Sequence, residues 1–127
     1  MRFQSRCIGL FSVVGLILAG TGLAPAKTPY DGAWAVTIMT EKGSCDPAFR
    51  YAVLVSDGSI TYDARENSGL VAISGKVDRQ GQVRVNLSRG EQQANGNGKL
   101  SENGGAGTWI GKSSAASCAG RWEAKRN

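Results

Sequence analysis

Residues 31–40 read D-G-A-W-A-V-T-I-M-T, with Cys45 shortly beyond. Trp34, Val36 and Ile38 fall on one side of this stretch, and Ala35, Thr37 and Met39 on the other. Period-two alternation with β-branched residues predicts a strand, not a helix. Whether this strand is an edge or part of a closed sheet depends on how the downstream strands pair.

The same period recurs downstream. Phe49–Ser56 sets Phe49, Tyr51, Val53 and Val55 on one side. Asp57-Gly58 then supplies a two-residue hairpin turn, whose central positions both take positive φ. That turn pairs Ser56 with Ser59, Val55 with Ile60 and Val53 with Tyr62, a register in which apolar meets apolar. A slip of one residue would send the whole set outward. Ala64–Gly69 reads as a polar loop, and Val71, Ile73, Gly75 and Val77 as the inner row of a fourth strand.

Asp78-Arg79-Gln80-Gly81 has the residues of a type I turn with a glycine bulge. It sets Val77 by Val83, Gly75 by Val85 and Ile73 by Leu87. A hairpin at Arg89-Gly90 would place Leu87 by Gln92, Val85 by Ala94 and Val83 by Gly96. Another at Asn103-Gly104 would place Leu100 by Gly107 and Gly98 by Trp109. The glycines of Gly90–Gly111 also fit a flexible low-complexity tract. Strands are the better reading, because glycine opposite tryptophan, as in the Gly98–Trp109 pair, leaves room for the ring across the sheet. A symmetrical match follows, since pairing Trp109 with Gly120 places Gly107 opposite Trp122.

Cys118–Arg126 is the last strand, with Gly120, Trp122 and Ala124 inward. Eight short strands joined by short turns, without helical periodicity, predict an all-β fold: an eight-stranded antiparallel up-and-down β-barrel. Cys118 starts strand eight and Cys45 follows strand one, so a disulfide between them would pin the closing seam. In that seam Trp34, Val36 and Ile38 would face Ala124, Trp122 and Gly120.

Met1–Ala26 reads as a signal peptide and Lys27–Asn127 as the single domain. Arg2 and Arg6 precede an uncharged apolar run, Cys7–Leu18, and Ala24-Pro25-Ala26 fits a small-x-small cleavage site. The run is short for a membrane span. Loss of Arg2 and Arg6 leaves 13 basic and 10 acidic side chains, a net charge of +3 in place of +5. Cys7 leaves too, and the remaining pair suits an oxidising compartment, periplasmic or secreted. An outer-membrane barrel is excluded on pattern, since Arg84, Asn86, Asn95, Asn97 and Lys99 would face lipid.

The expected barrel core is Trp34, Val36, Ile38, Tyr51, Val53, Val55, Tyr62, Ile73, Val85, Trp109 and Trp122. These aromatics are expected to fill most of the lumen, and no acid or base is expected to point inward. The chain has no histidine, and no paired-carboxylate, Ser-Lys or C-x-x-C arrangement stands out, so neither catalysis nor a metal or cofactor is expected. Asp57, Asp63 and Asp78 lie where turns explain them.

Three binding modes remain: a small apolar ligand in the barrel, a protein partner on the outer patch Ala35, Met39, Ala52 and Leu54, or an anionic partner along Lys76, Arg84 and Lys99. That basic row lacks interleaved aromatics, which argues against nucleic acid.

Gly32-Ala33-Trp34 resembles the G-x-W motif of calycin-type barrels, which include lipocalins, avidins and bacterial metalloprotease inhibitors. The resemblance implies that Trp34 packs at the closed end of the barrel beside a basic residue of the last strand, Arg121 or Arg126. The chain departs from avidins in lacking the polar inner residues of a biotin site, and from lipocalins in lacking their second and third motifs. The inhibitor family is similar in size, export and single disulfide, although its second cysteine comes earlier. An inhibitor-like role would use Lys27–Asp31 as the inserting segment. The general pattern is also similar to that of small exported proteins of Gram-negative bacteria.

Overall fold

A computed structural model describes residues 27–65 and 71–127. The expected signal peptide and most of the loop Ala64–Gly69 lie outside them. Eight strands follow in order: β1 Gly32–Lys42, β2 Ala48–Ser56, β3 Ser59–Tyr62, β4 Ala72–Val77, β5 Gln82–Arg89, β6 Gln92–Leu100, β7 Gly104–Lys112 and β8 Ser117–Arg126. Each pairs antiparallel with the next and β8 returns to β1, so the sheet closes as a barrel.

The registers at β2–β3 and β4–β5 are those the turns dictate. Asp57 and Gly58 have φ of 51° and 78°, and Val55 meets Ile60. Gly81 at φ 86° forms the bulge after Asp78; Gly81 N–H donates to the Asp78 carbonyl at 3.0 Å. Val77 meets Val83 and Ile73 meets Leu87. Trp109 lies opposite Gly120, and Gly107 opposite Trp122.

Three registers differ from expectation, each by two residues. Arg89 pairs with Gln92, so Leu87 meets Ala94, Val85 meets Gly96 and Val83 meets Gly98. The turn is Gly90-Glu91: glycine sits at the first central position with φ 60°, as a type II′ turn prefers. At β6–β7 the turn centres on Glu102-Asn103, closed by Ser101 N–H donating to the Gly104 carbonyl at 2.7 Å. Leu100 therefore meets Gly105, and Gly98 meets Gly107. At the seam, Val36 meets Ala124, Ile38 meets Trp122 and Thr40 meets Gly120, with a bulge between Thr40 and Lys42. No turn joins β8 to β1, so nothing local sets that register. A two-residue shift keeps every side chain on its face, which is why the inner rows survive all three.

Cys45 and Cys118 form a disulfide with Cα atoms 6.2 Å apart, beside the bulged end of the β1–β8 seam. Cys118 is buried.

Candidate functional site

The two ends of the barrel are built differently. At one end lie the lead-in 28–31 and the turns at 57–58, 78–81 and 101–103. Trp34 sits there at 1% exposure, and burying such a ring contributes on the order of 3 kcal/mol. Its indole N–H donates to the Tyr30 carbonyl at 2.8 Å. Tyr30, Val55, Ile60, Val77, Val83, Leu100 and Ala124 are buried with it.

Arg126, not Arg121, lies over the Trp34 ring, its Cζ 4.6 Å from the centroid. Its guanidinium donates to the carbonyls of Asp31 at 2.6 Å, Pro29 at 2.7 Å and Glu102 at 2.8 Å. Gly32 is needed in this arrangement, because a Cβ there would stand 2.8 Å from Arg126 Nη1. Arg121 instead pairs with Glu41 on the outer face, Nε to Oε2 3.1 Å. The Asp31 carboxylate ties the lead-in to the β2–β3 turn, accepting from Asp57 N–H at 2.9 Å and from the Thr28 hydroxyl. This end is closed.

The other end is hollow. A cavity of about 810 Å³ opens there, walled by inner-row residues including Val36, Ile38, Tyr51, Val85, Leu87 and Trp109. The expected core therefore divides in two. Trp34, Val53, Val55, Ile73 and Trp122 are buried, whereas Val36, Ile38, Tyr51, Tyr62, Val85 and Trp109 are only partly so. The expectation that aromatic rings fill most of the lumen is not met, and the reason is local.

Trp122 lies flat along the wall over Gly107 and Gly98, where a Cβ would come within 2.6 and 2.4 Å of its ring. Its N–H donates to the Asn97 carbonyl at 3.1 Å. Trp109 turns the opposite way, across Gly120, and donates to the Met39 carbonyl on β1 at 3.0 Å. Glycines receive both indoles against the wall, and the lumen beyond them stays open.

The corrected β5–β6 turn also places a charge at the mouth. Because the turn is Gly90-Glu91, Arg89 remains in β5 and continues the inner row Val83, Val85, Leu87. Its Cζ stands 5.7 Å from the centre of the Phe49 ring, and Phe49 in turn stacks on Tyr51 with centroids 6.0 Å apart. Burial pushes the Tyr51 hydroxyl above its usual pKa, against the opposing charge and hydrogen bonding of Arg89. The expectation of no inward acid or base thus fails at both ends, with Arg126 and Arg89. Parity pointed to Arg89; assigning it to the turn concealed it. Asp46, Glu91 and Lys112 share the rim, and Glu91 accepts from the Ser114 hydroxyl at 2.9 Å.

Away from the lumen, Ala35 and Ala52 are direct partners and Leu54 lies beside Ala33, but the Thr37–Arg50 rung separates them from Met39. All four patch residues are half-buried, and among the described residues the large apolar side chain left exposed is Ile110, at 64%. Lys76 and Arg84 face each other directly, with Lys99 diagonal to Arg84. Asp78 accepts from the N–H groups of Gln80 and Gln82, both at 2.9 Å. Asp63 is buried at the β3 end, and its hydrogen bonds with Arg65 hold the carboxyl below its usual pKa.

Among the described residues, no group of three His, Cys, Asp or Glu could hold a metal ion, and no helix is long and apolar enough to cross a membrane. Comparison with protein-family models, with curated proteins and with solved structures finds no match for the chain.

Proposed function

We propose that this is a non-catalytic exported binding protein that takes a small, largely apolar molecule into the open half of its barrel. The observation that carries this reading is the cavity: about 810 Å³, lined mainly by aromatic and aliphatic inner-row residues. Pockets for small molecules span about 300–1,000 Å³ and are apolar with a few placed polar groups. An eight-stranded barrel can hold one small ligand when its side chains leave room, and the wall-hugging tryptophans leave it. The Cys45–Cys118 bridge supports an oxidising compartment, periplasmic or extracellular. Trp34 under Arg126 at the closed end supports kinship with calycin-type barrels.

The inhibitor-like alternative draws less support. The segment it would insert is tied to the barrel through the buried Tyr30 ring and the Pro29 and Asp31 carbonyls. A partner on the outer patch draws little from four half-buried residues split by the Thr37–Arg50 rung.

Native mass spectrometry of the protein purified from its own host tests the cavity reading; a retained small molecule is expected. Apolar probes should also shift the tryptophan emission, since Trp109 and Trp122 line the cavity. A bare mass together with unresponsive fluorescence would overturn it.

A further inference from the structure

Two inner-row arginines stand at opposite ends of the lumen, and their surroundings differ. Arg126 is saturated, with three backbone carbonyls around its guanidinium and Trp34 beneath. Arg89 has the face of Phe49, on which Tyr51 stacks, and Tyr51 and Arg89 line the same cavity. Among the described residues no carboxylate lies within salt-bridge distance of it. A guanidinium carries five donors in a planar fork suited to an oxyanion. Here that fork stands at the mouth of an apolar cavity, on the wall that leads down through Leu87, Val85 and Val83.

We propose that the ligand is an amphipathic anion: an apolar body in the lumen, and one carboxylate or phosphate head held at the mouth by Arg89 and Tyr51. This rests on the cavity reading and adds the class of ligand. From Arg89 to Val83 the strand runs about 20 Å at ~3.3 Å per residue. With barrel strands tilted about 35–45°, that leaves a depth of about 15 Å for an apolar tail. The rim charges Asp46, Glu91 and Lys112 bring both signs to the entrance. Arg89 alone among the rim cations continues an inner row beside the stacked rings of Phe49 and Tyr51. An anionic head reaching this point keeps contact with bulk water while its tail leaves it, so neither end bears an unpaired desolvation cost.

Titrating the exported protein, followed by tryptophan fluorescence, tests this with four probes of one chain length below micelle formation: dodecanoate, dodecyl phosphate, 1-dodecanol and dodecyltrimethylammonium. The expected result is that at least one anion binds about tenfold tighter than the alcohol at low ionic strength, with the cation weakest. Which anion binds better identifies the head. Arg89→Met should bring the anion to the level of the alcohol, costing the anion several-fold more than it costs the alcohol. Arg89→Lys should restore part of the preference, and Tyr51→Phe should reduce it. Equal affinities for anion and alcohol, or an Arg89→Met change that weakens both alike, overturn the anionic head and leave the cavity reading standing. Failure of all four probes to bind overturns the cavity reading and this inference with it.

Discussion

Asp31 shows how a single lead-in residue seals one end of the barrel. Its carboxylate accepts from the Thr28 hydroxyl and from the N–H groups of Asp57 and Gly58, while its carbonyl accepts from Arg126. Burial pushes this carboxyl up, but the hydrogen bonds outweigh it and the net shift is downward from the usual aspartate value. A folded-state pKa below the unfolded one stabilises the fold at pH above the unfolded value, and that contribution is lost as pH falls through the folded value. Between about pH 5 and pH 2 the native protein should therefore lose stability faster than Asp31→Asn does. Near neutral pH the variant should be the less stable of the two. Urea midpoints across that range check both signs. Part of the acid sensitivity should persist in the variant, because Asp63 is lowered as well, chiefly through its hydrogen bond with Arg65. Equal acid sensitivity in the two proteins would remove Asp31 as a cause.

At the scale of the strand, alternation and register were legible to different degrees. Which face each residue takes followed from period two, and Trp34, Val53, Ile73 and Trp122 all lie inside. How far each strand slides did not follow, because a shift of two leaves the pattern unchanged. Only the turn chemistry breaks that degeneracy. Asp57-Gly58 and Asp78–Gly81 broke it correctly, since their positive-φ positions are unambiguous. Gly90 did not, because a glycine suits either central position depending on turn type. Tyr30 was invisible for another reason: it precedes the first strand, where no periodicity reports on burial.

Gly107 and Gly120 were legible as partners for Trp122 and Trp109. The β6 partner was not, Gly98 having been expected opposite Trp109 where Gly96 lies, and none was legible as the cause of a cavity. At Gly107 a Cβ would stand 2.0 Å from the Asn97 carbonyl oxygen and 2.6 Å from the Trp122 ring. Gly107→Ala should therefore destabilise the barrel by about 1–3 kcal/mol, the usual cost of forcing atoms into a packed site. Because Trp122 must then tilt off the wall into the lumen, the same variant should weaken binding of any cavity probe. Chemical denaturation and a fluorescence titration read the two effects separately. A variant with native stability and native binding would show that the indole does not depend on that glycine.

The whole molecule depends on a seam that no turn supports. Seven of the eight strand pairs join neighbours in sequence; β1 and β8 are brought together from opposite ends of the domain. Closing that contact costs chain entropy that grows slowly with loop length, and the Cys45–Cys118 bridge, 73 residues apart in sequence, removes much of that cost. The chain-entropy estimate for such a loop is about 4 kcal/mol, a large part of the 5–15 kcal/mol typical of single domains. The bridge also sits at the mouth: Cys45 lies in the β1–β2 loop and belongs to the cavity wall, so the seam and the entrance share one staple. The double variant Cys45→Ser/Cys118→Ser should lose on the order of 4 kcal/mol by chemical denaturation. Its amide exchange should rise first along Thr40–Lys42 and Ser117–Gly120, the bulged end beside the missing bridge. Exchange at the Trp34–Arg126 end should remain slow, because three carbonyls, a ring and the Asp31 carboxylate hold it independently. Uniform acceleration around the barrel would instead mean that the two ends open as one unit.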